Sequence, residues 1–160
     1  MVSYKTVEAM LALTTFLILF LFNKNFRNAI SQLVQLITRG AVDGVGYLSN
    51  VISEVVSKAK QGKKYKGKEV HHIVAQKDRR AASSRSILSK YKIGIESSYN
   101  KVSIRKTFHK HLHTNSYHTS VYLVLKSCRN RGRTKLDKKY YVIAGLVWIG
   151  VVLKTASKVV

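Results

Sequence analysis

The chain has 160 residues and a mass of 18.1 kDa, enough for one domain with its own core and an appendage. Its formal charge of +22 exceeds what solubility requires and predicts a polyanionic partner, either nucleic acid or an anionic membrane surface. The single cysteine, Cys128, excludes a disulfide framework and a cysteine zinc site, and the absence of proline favours a largely helical chain.

The positive charge is unevenly distributed along the chain. Residues 1–56 contain four Lys or Arg against three Asp or Glu, whereas residues 57–160 contain 25 against four. The second part is therefore the one that we expect to contact a polyanion.

The first element is an apolar stretch at residues 7–22, interrupted by Glu8 and two threonines. It is slightly short of the about 20 residues that cross a bilayer comfortably. Basic residues lie on both sides of it (Lys5, Lys24 and Arg27), so they say little about which way the stretch would be oriented in a membrane. Membrane insertion, a translocation signal and packing inside the protein all stay open.

Two amphipathic helices follow, at residues 25–38 and 44–57, with apolar residues at helical spacing. We therefore expect residues 1–57 to be a helical N-terminal region. Residues 58–68 contain six lysines and two glycines, which predicts a basic linker and a domain boundary.

Residues 69–128 are predicted to form a second domain of mixed structure. Alternating or β-prone residues predict two short strands, and helical spacing predicts two helices. The predicted elements are a strand at 69–75, a helix at 79–91, a strand at 100–105 and a long helix from Lys106 to about Lys126.

Residues 129–160 complete the chain with a basic loop at 129–139 and an apolar helix at 140–153. The apolar block is short for a membrane span. A core helix and a membrane-seeking helix both remain open for it.

All six histidines lie between positions 71 and 118. His109 and His113 are four residues apart on the predicted helix, so their rings share one face. His71 and His72 point to opposite faces of the predicted strand, so only one can be a direct ligand of an ion held against the helix. Three imidazoles can then hold one divalent ion, while a fourth takes a proton from water.

A three-ligand site of this kind suits phosphodiester hydrolysis. The acidic residues after position 57 are Glu69, Asp78, Glu96 and Asp137, and none is close in sequence to residues 109–113. This argues against a two-metal nuclease or a carboxylate-pair glycosidase. Imidazoles favour zinc or nickel, but an open site also suits magnesium or manganese, so the metal is left open.

The sequence resembles the AHH branch of the HNH (His-Me finger) endonucleases. The resemblance covers about residues 69–121. Its motifs are V-H-H-I-V at 70–74, D-R-R-A-A-x-x-R-x-I-L at 78–88, Gly94-Ile95, Asn100, and F-H-x-x-L-H-T-N-x-Y at 108–117. Val70 stands where the family's name has alanine.

The resemblance implies an α+β, mostly helical fold with a ββα-metal core and a helical insert. It implies one divalent ion, zinc, magnesium, nickel or manganese, as cofactor. The implied metal ligands are His71, His109 and His113. The implied catalytic residues are His72, the general base that activates water, and Asn100, which braces the loop and the catalytic strand.

Nucleic acid is the expected partner, with DNA favoured over RNA. Five basic side chains are candidates for phosphate contacts, since guanidinium and ammonium groups pair with phosphate. They are Arg79, Arg80, Arg85, Arg105 and Lys106. His111 and His118 are expected at the surface or against phosphate, and Tyr117 is expected to pack.

Members of the family are commonly toxin nuclease domains at the C-terminal end of secreted bacterial proteins. The resemblance therefore implies an effector that acts in a target-cell cytoplasm and an immunity protein as partner; membrane association in the producing cell is the other setting. Two rival functions stay open. One is a non-catalytic nucleic-acid-binding protein with a closed metal site, and the other is a membrane-active cationic protein that inserts 7–22 and 140–153.

Overall fold

The computed structural model describes residues 23–39 and 42–160, so the apolar stretch 7–22 lies outside the described residues. The described part is mostly helical with a two-stranded antiparallel sheet and a C-terminal apolar helix, which confirms the predicted fold class. The strands are β1 (Lys68–His72) and β2 (Lys101–Arg105). The helices are α1 (Lys24–Thr38), α2 (Val45–Gln61), α3 (Ala82–Lys90), α4 (Lys106–Leu112), α5 (Asn115–Arg131) and α6 (Lys135–Ser157), with 3₁₀ turns at Arg79–Ala81 and Ser98–Asn100.

The first two helices lie close to their predicted positions. α2 continues beyond the predicted residue 57 to Gln61, because lysine, alanine and glutamine are good helix formers. Gly44 precedes α2 with a φ of +85°, and a Cβ there would lie 2.7 Å from the Leu123 Cβ. The turn that brings α2 against α5 therefore requires glycine.

The predicted long helix from residue 106 to about 126 is wrong, because two helices occupy this stretch. α4 ends at Leu112, and His113 has a ψ of 73°, which is not helical. The Thr114 hydroxyl then accepts a hydrogen bond from the Tyr117 backbone N–H (3.1 Å) and caps α5. Threonine is a favoured N-cap, and this cap starts a new helix.

The predicted basic loop at 129–139 is also wrong in its extent. α5 continues to Arg131 and α6 begins at Lys135. Thr134 and Asp137 form a capping box at the start of α6, in which each side chain bonds the other residue's backbone N–H. The loop is therefore reduced to the few residues around Gly132.

β1 and β2 pair antiparallel, with His71 opposite Val102 and His72 opposite Lys101. α6 packs on β2 and against α5 and α1. A Cβ on Gly145 would lie 2.9 Å from the Cys128 Sγ, so α5 and α6 approach closely at that glycine.

α6 contains the apolar block 140–153. Among the described residues it is the one helix long and apolar enough to cross a membrane by length and composition, and 56% of its apolar window is buried. Its packing against α5, α1 and β2 is that of a core helix. Membrane association of this block stays a prediction.

The basic segment 58–68 is held by a hydrogen bond within it and by hydrogen bonds to Thr107. Its first residues belong to α2. The Lys64 ammonium donates to the Ala59 carbonyl (2.8 Å). The Tyr65 N–H donates to the Thr107 hydroxyl (2.8 Å), which donates in turn to the Tyr65 carbonyl (3.1 Å). The predicted division into domains at residues 57, 68 and 128 stays a prediction.

Candidate metal centre

Three histidines from β1 and from the end of α4 converge on one point. His71 is 1% exposed, and its ring centroid lies 5.0 Å from that of His109 and 5.0 Å from that of His113. The Nε2 atoms of His109 and His113 are 3.0 Å apart. One nitrogen from each ring lies within 4.8 Å of the others, close enough for a single ion to bind all three. These are the three side chains predicted as metal ligands.

Local structure explains this convergence. Along β1 successive side chains alternate between faces, so Glu69 and His71 face inward while Val70 is exposed. On α4 the fully buried Phe108 and Leu112 anchor the helix in the core. This anchoring holds His109 against the strand, and the break after Leu112 leaves His113 beside it.

The nitrogen atoms of this cluster fit a metal ion. The Nε2 atom of His71 lies 2.8 Å from the Tyr117 hydroxyl, whereas its Nδ1 atom is buried without a hydrogen-bond partner. A buried polar atom without a partner is destabilising. A divalent transition ion would satisfy it, because neutral imidazole nitrogen is a preferred ligand of such ions.

Glu69 is bonded to one of the three histidines. Its Oε1 atom lies 2.5 Å from the His109 Nδ1, and since a carboxylate only accepts, that nitrogen carries the proton. The Nε2 atom of His109 then carries a lone pair, which can accept a hydrogen bond from the His113 Nε2 atom, 3.0 Å away, or bind an ion. Carboxylate–histidine pairs of this kind orient metal ligands in proteins. Sequence reasoning missed Glu69, although its position two residues before His71 places both on one face of a strand.

His118 is buried, with 2% exposure, so the expectation that it lies at the surface is wrong. Its Nε2 atom lies 3.3 Å from the Asp78 Oδ2, and its ring centroid lies 5.5 Å from that of His113. Asp78, His113 and His118 form a second group of potential ligands. The Arg80 guanidinium already bonds both Asp78 oxygens and holds the pKa of that carboxyl well below its usual range. This paired carboxylate therefore supports the loop and His118 and is a poor cation ligand.

His72 lies on the opposite face of β1 from His71. Its Nε2 atom is 3.1 Å from the Glu96 Oε1, and its side chain is 22% exposed. Lys101 lies 2.8 Å from the other Glu96 oxygen, and this contact lowers the pKa of Glu96. The ionised carboxylate accepts a hydrogen bond from the His72 Nε2–H. The Nδ1 atom of His72 then carries the lone pair that can accept a proton.

Asn100 is fully buried, and its side chain joins the residues that follow β1 to the residues that precede β2. Its side-chain oxygen accepts from the Val74 N–H (2.8 Å), and its amide donates to the carbonyls of Val74 (3.0 Å) and Ile95 (2.9 Å). Its backbone oxygen accepts from Ile73. This geometry is that of a brace for the loop after β1. A part of Asn100 in catalysis stays a prediction.

The predicted phosphate-binding side chains fall into two groups. Arg79 and Lys106 are exposed. The other three have intramolecular partners: Arg80 bonds Asp78, Arg85 donates to the carbonyls of Ala75 (2.8 Å) and Asp78 (2.6 Å), and Arg105 donates to Val160. Arg85 thus holds the loop after β1. Contact of all five with phosphate stays a prediction.

The protonation states of the cluster follow from its burial. Burial, and then the neighbouring His113 and His109, lower the pKa of His71 well below its ordinary value. Burial, and then His109, lower the pKa of His113 to about 4. Both rings are therefore neutral at pH 7, which is the form that binds metal ions.

Comparison of the sequence with known protein families identifies a nuclease family, which agrees with a metal site built from histidines. A family model described as a nuclease family of the HNH/ENDO VII superfamily with conserved AHH matches residues 53–146. The match begins within α2 and ends within α6, so it extends beyond the predicted 69–121 on both sides and covers more than half of the chain. No curated protein and no solved structure matches. The chain therefore belongs to the AHH nuclease family of the HNH/ENDO VII superfamily.

Proposed function

We propose that this chain is a metal-dependent endonuclease that hydrolyses phosphodiester bonds of nucleic acid, with DNA as the favoured substrate. One observation carries the proposal. His71, His109 and His113 converge on one side of β1. His72, which follows His71 in the strand, is held on the other side by Glu96. Membership of a nuclease family supplies the class of reaction.

In this proposal the three converging histidines hold one divalent ion. Such an ion, when bound, polarises a phosphate oxygen and stabilises the charge that develops on the leaving oxygen. Imidazole donors favour zinc or nickel, whereas magnesium or manganese would depend more on water and phosphate oxygens for their coordination.

His72 acts as the general base. Its Nδ1 atom takes a proton from the attacking water, and the resulting imidazolium is stabilised by Glu96, which lies 3.1 Å from its Nε2 atom. Lys101 keeps Glu96 ionised. A carboxylate that orients and stabilises a histidine base is a recurring arrangement in hydrolases.

The charge of the chain binds the substrate. Twenty-five of the 29 basic residues lie after position 56, and they attract a phosphate backbone without regard to its sequence. At the end of the hairpin away from His72, a cavity of about 460 Å³ is lined by Lys64, Lys66, Lys68 and Arg105. This basic surface supports contact with phosphates that flank the cleaved bond.

The biological setting that we propose is that of a bacterial toxin or effector, delivered to a target cell and countered by an immunity protein. This part of the proposal rests on the family resemblance. A protein that neutralises a chain of charge +22 should present an acidic surface. Anchoring through residues 7–22 or 140–153 in the producing cell is the alternative setting.

The test is incubation of the purified chain with supercoiled plasmid and, separately, with RNA, with and without a chelator. We expect nicking that the chelator abolishes and that added divalent metal restores, with plasmid cut faster than RNA. The matched variant is His72→Ala, which should bind metal as the parent does but cleave about 10²-fold or more slowly, the usual contribution of a general base.

The rival functions give different results in the same assays. A non-catalytic nucleic-acid-binding protein would shift plasmid in a gel without nicking it. A membrane-active protein would release dye from anionic liposomes even after loss of His109 and His113. If His72→Ala cleaves as fast as the parent, another group is the base.

A further inference from the structure

The Tyr117 hydroxyl lies between a buried histidine and a buried carbonyl. Tyr117 is fully buried in the first turn of α5. Its oxygen is 3.1 Å from the Ile73 carbonyl oxygen and 2.8 Å from the His71 Nε2. Burial raises the pKa of this phenol, so the hydroxyl keeps its single proton.

One direction of that single proton leaves fewer buried groups unpaired than the other. A carbonyl oxygen can only accept, so if the hydroxyl donates to Ile73, it accepts from His71 and the His71 Nε2 carries a hydrogen. In the opposite arrangement the hydroxyl donates to His71 Nε2, and the His71 proton sits on Nδ1. The Nδ1–H would then be buried without an acceptor, and the Ile73 carbonyl would lose the hydrogen bond that the Tyr117 hydroxyl donates to it. A buried donor or acceptor left unpaired destabilises the folded chain, so the first arrangement is favoured.

We propose that Tyr117 is a positioning residue that fixes His71 in the Nε2–H tautomer and thereby presents its Nδ1 lone pair to the metal ion. The inference rests on the proposed function, since it takes His71, His109 and His113 as the ligands. His71 then binds through Nδ1, whereas His109, whose Nδ1–H is held by Glu69, binds through Nε2. The two partners hold the two rings in opposite tautomers.

Packing alone would not require this hydroxyl. The Tyr117 ring lies 5.6 Å from that of His71 and 6.3 Å from that of His113, centroid to centroid, and phenylalanine would keep both contacts. Tyr117→Phe therefore separates the two roles. A matched control is Tyr122→Phe on the same helix, because among the described hydrogen bonds the Tyr122 hydroxyl has none to a histidine.

The first measurement uses the full chain labelled with ¹⁵N, with metal removed by a chelator. Long-range ¹H–¹⁵N correlation spectra distinguish Nδ1–H from Nε2–H imidazole, and the His71 signals are assigned by their loss in His71→Asn. We expect His71 as a single Nε2–H tautomer in the parent and in Tyr122→Phe, and a changed or mixed tautomer in Tyr117→Phe.

The second measurement is the affinity for Zn²⁺, from titration against a competing chelator. We expect Tyr117→Phe to bind Zn²⁺ about 10–100-fold more weakly than the parent, the usual effect of losing an outer-shell partner, and Tyr122→Phe to bind as the parent does. An Nδ1–H tautomer of His71 in the parent would overturn the inference. So would a Tyr117→Phe protein with the parent's tautomer and affinity.

Two further outcomes keep the inference and the proposed function distinct. If Tyr117→Phe fails to fold by circular dichroism, the tautomer of the parent alone decides the inference. If the parent binds Zn²⁺ no better than His109→Ala does, the proposed metal site is wrong. The His71 tautomer would then still be set by Tyr117, but it would not serve a metal ion.

Discussion

Two adjacent histidines on one strand lie in opposite surroundings. His71 is buried, has its pKa lowered by that burial, and is bonded to a neutral hydroxyl. His72 is partly exposed and bonded to a carboxylate. The first environment disfavours the imidazolium and suits a ligand, while the second stabilises an imidazolium and suits a base. The alternation of side chains along one strand thus places two neighbouring histidines in different environments.

The largest effect should come from removing a ligand. His109→Ala should abolish metal binding and metal-dependent cleavage, with a loss beyond the about 10–100-fold typical of an outer-shell change. His109 is 21% exposed, so the fold should survive. Zn²⁺ titration and plasmid nicking measure the effect, with His111→Ala on the same helix as control. Retained metal affinity would exclude His109 as a ligand.

His72→Ala should show that the two faces of β1 contribute differently to metal binding and to cleavage. Because His72 lies on the face away from the three clustered rings, Zn²⁺ affinity should be unchanged, while cleavage falls by about 10²–10⁴-fold. The measurement pairs titration with single-turnover nicking. A parallel loss of metal affinity would place His72 among the ligands and remove the distinction between the faces.

Substitutions of Glu69 test whether metal binding by His71, His109 and His113 depends on the Glu69 carboxylate. Glu69→Ala leaves the His109 Nδ1–H without its acceptor and should weaken Zn²⁺ binding about 10–100-fold. Glu69→Gln keeps a carbonyl oxygen at the same place and should restore part of the affinity. Equal affinities of the two variants would show that Glu69 does not act by accepting this hydrogen bond.

A substitution of Glu96 tests in the same way whether cleavage depends on the carboxylate beside His72, and its effect on the cleavage rate should be smaller. Glu96→Gln removes the charge that stabilises the His72 imidazolium but keeps an acceptor. Cleavage should slow by about tenfold or less, the scale of one hydrogen bond, with Zn²⁺ affinity unchanged. A loss as large as that of His72→Ala would instead give Glu96 a direct part in the proton transfer.

Most of the fold could be predicted from the sequence where one short-range signal dominates. Apolar periodicity predicts α1 and α2, and the β-prone residues around the His71–His72 pair predict β1. The long helix over 106–126 fails because a single hydrogen bond, from Tyr117 N–H to Thr114, starts a new helix. Periodicity continues through such a cap and does not reveal it.

The candidate site shows a second limit of the sequence. The histidines could be grouped by their spacing, but three of the four acidic residues after position 57 contact histidines across the fold: Glu69 with His109, Asp78 with His118, and Glu96 with His72. These pairs join residues from different elements. They depend on how the hairpin, α3 and α5 pack, which spacing along the chain does not report.

The last prediction concerns the stability of the metal-free chain. An unfolded histidine titrates near 6.5, whereas burial lowers the pKa of His113 to about 4 in the folded state. Between these values the unfolded chain binds more protons, so the free energy of unfolding falls as the pH is lowered from about 6.5 to about 4. Above about 6.5 the ring is neutral in both states and its contribution is constant.

Urea unfolding in the presence of chelator, at several pH values in this window, measures the effect. His113→Asn removes the titrating group, so the slope of stability against pH should become shallower than in the parent. His71 and His118 should contribute to the remaining slope, because burial lowers the pKa of each of them as well. An unchanged slope would mean that His113 is not held neutral by burial. Burial would then not be the reason that His113 is in the neutral form that binds metal ions.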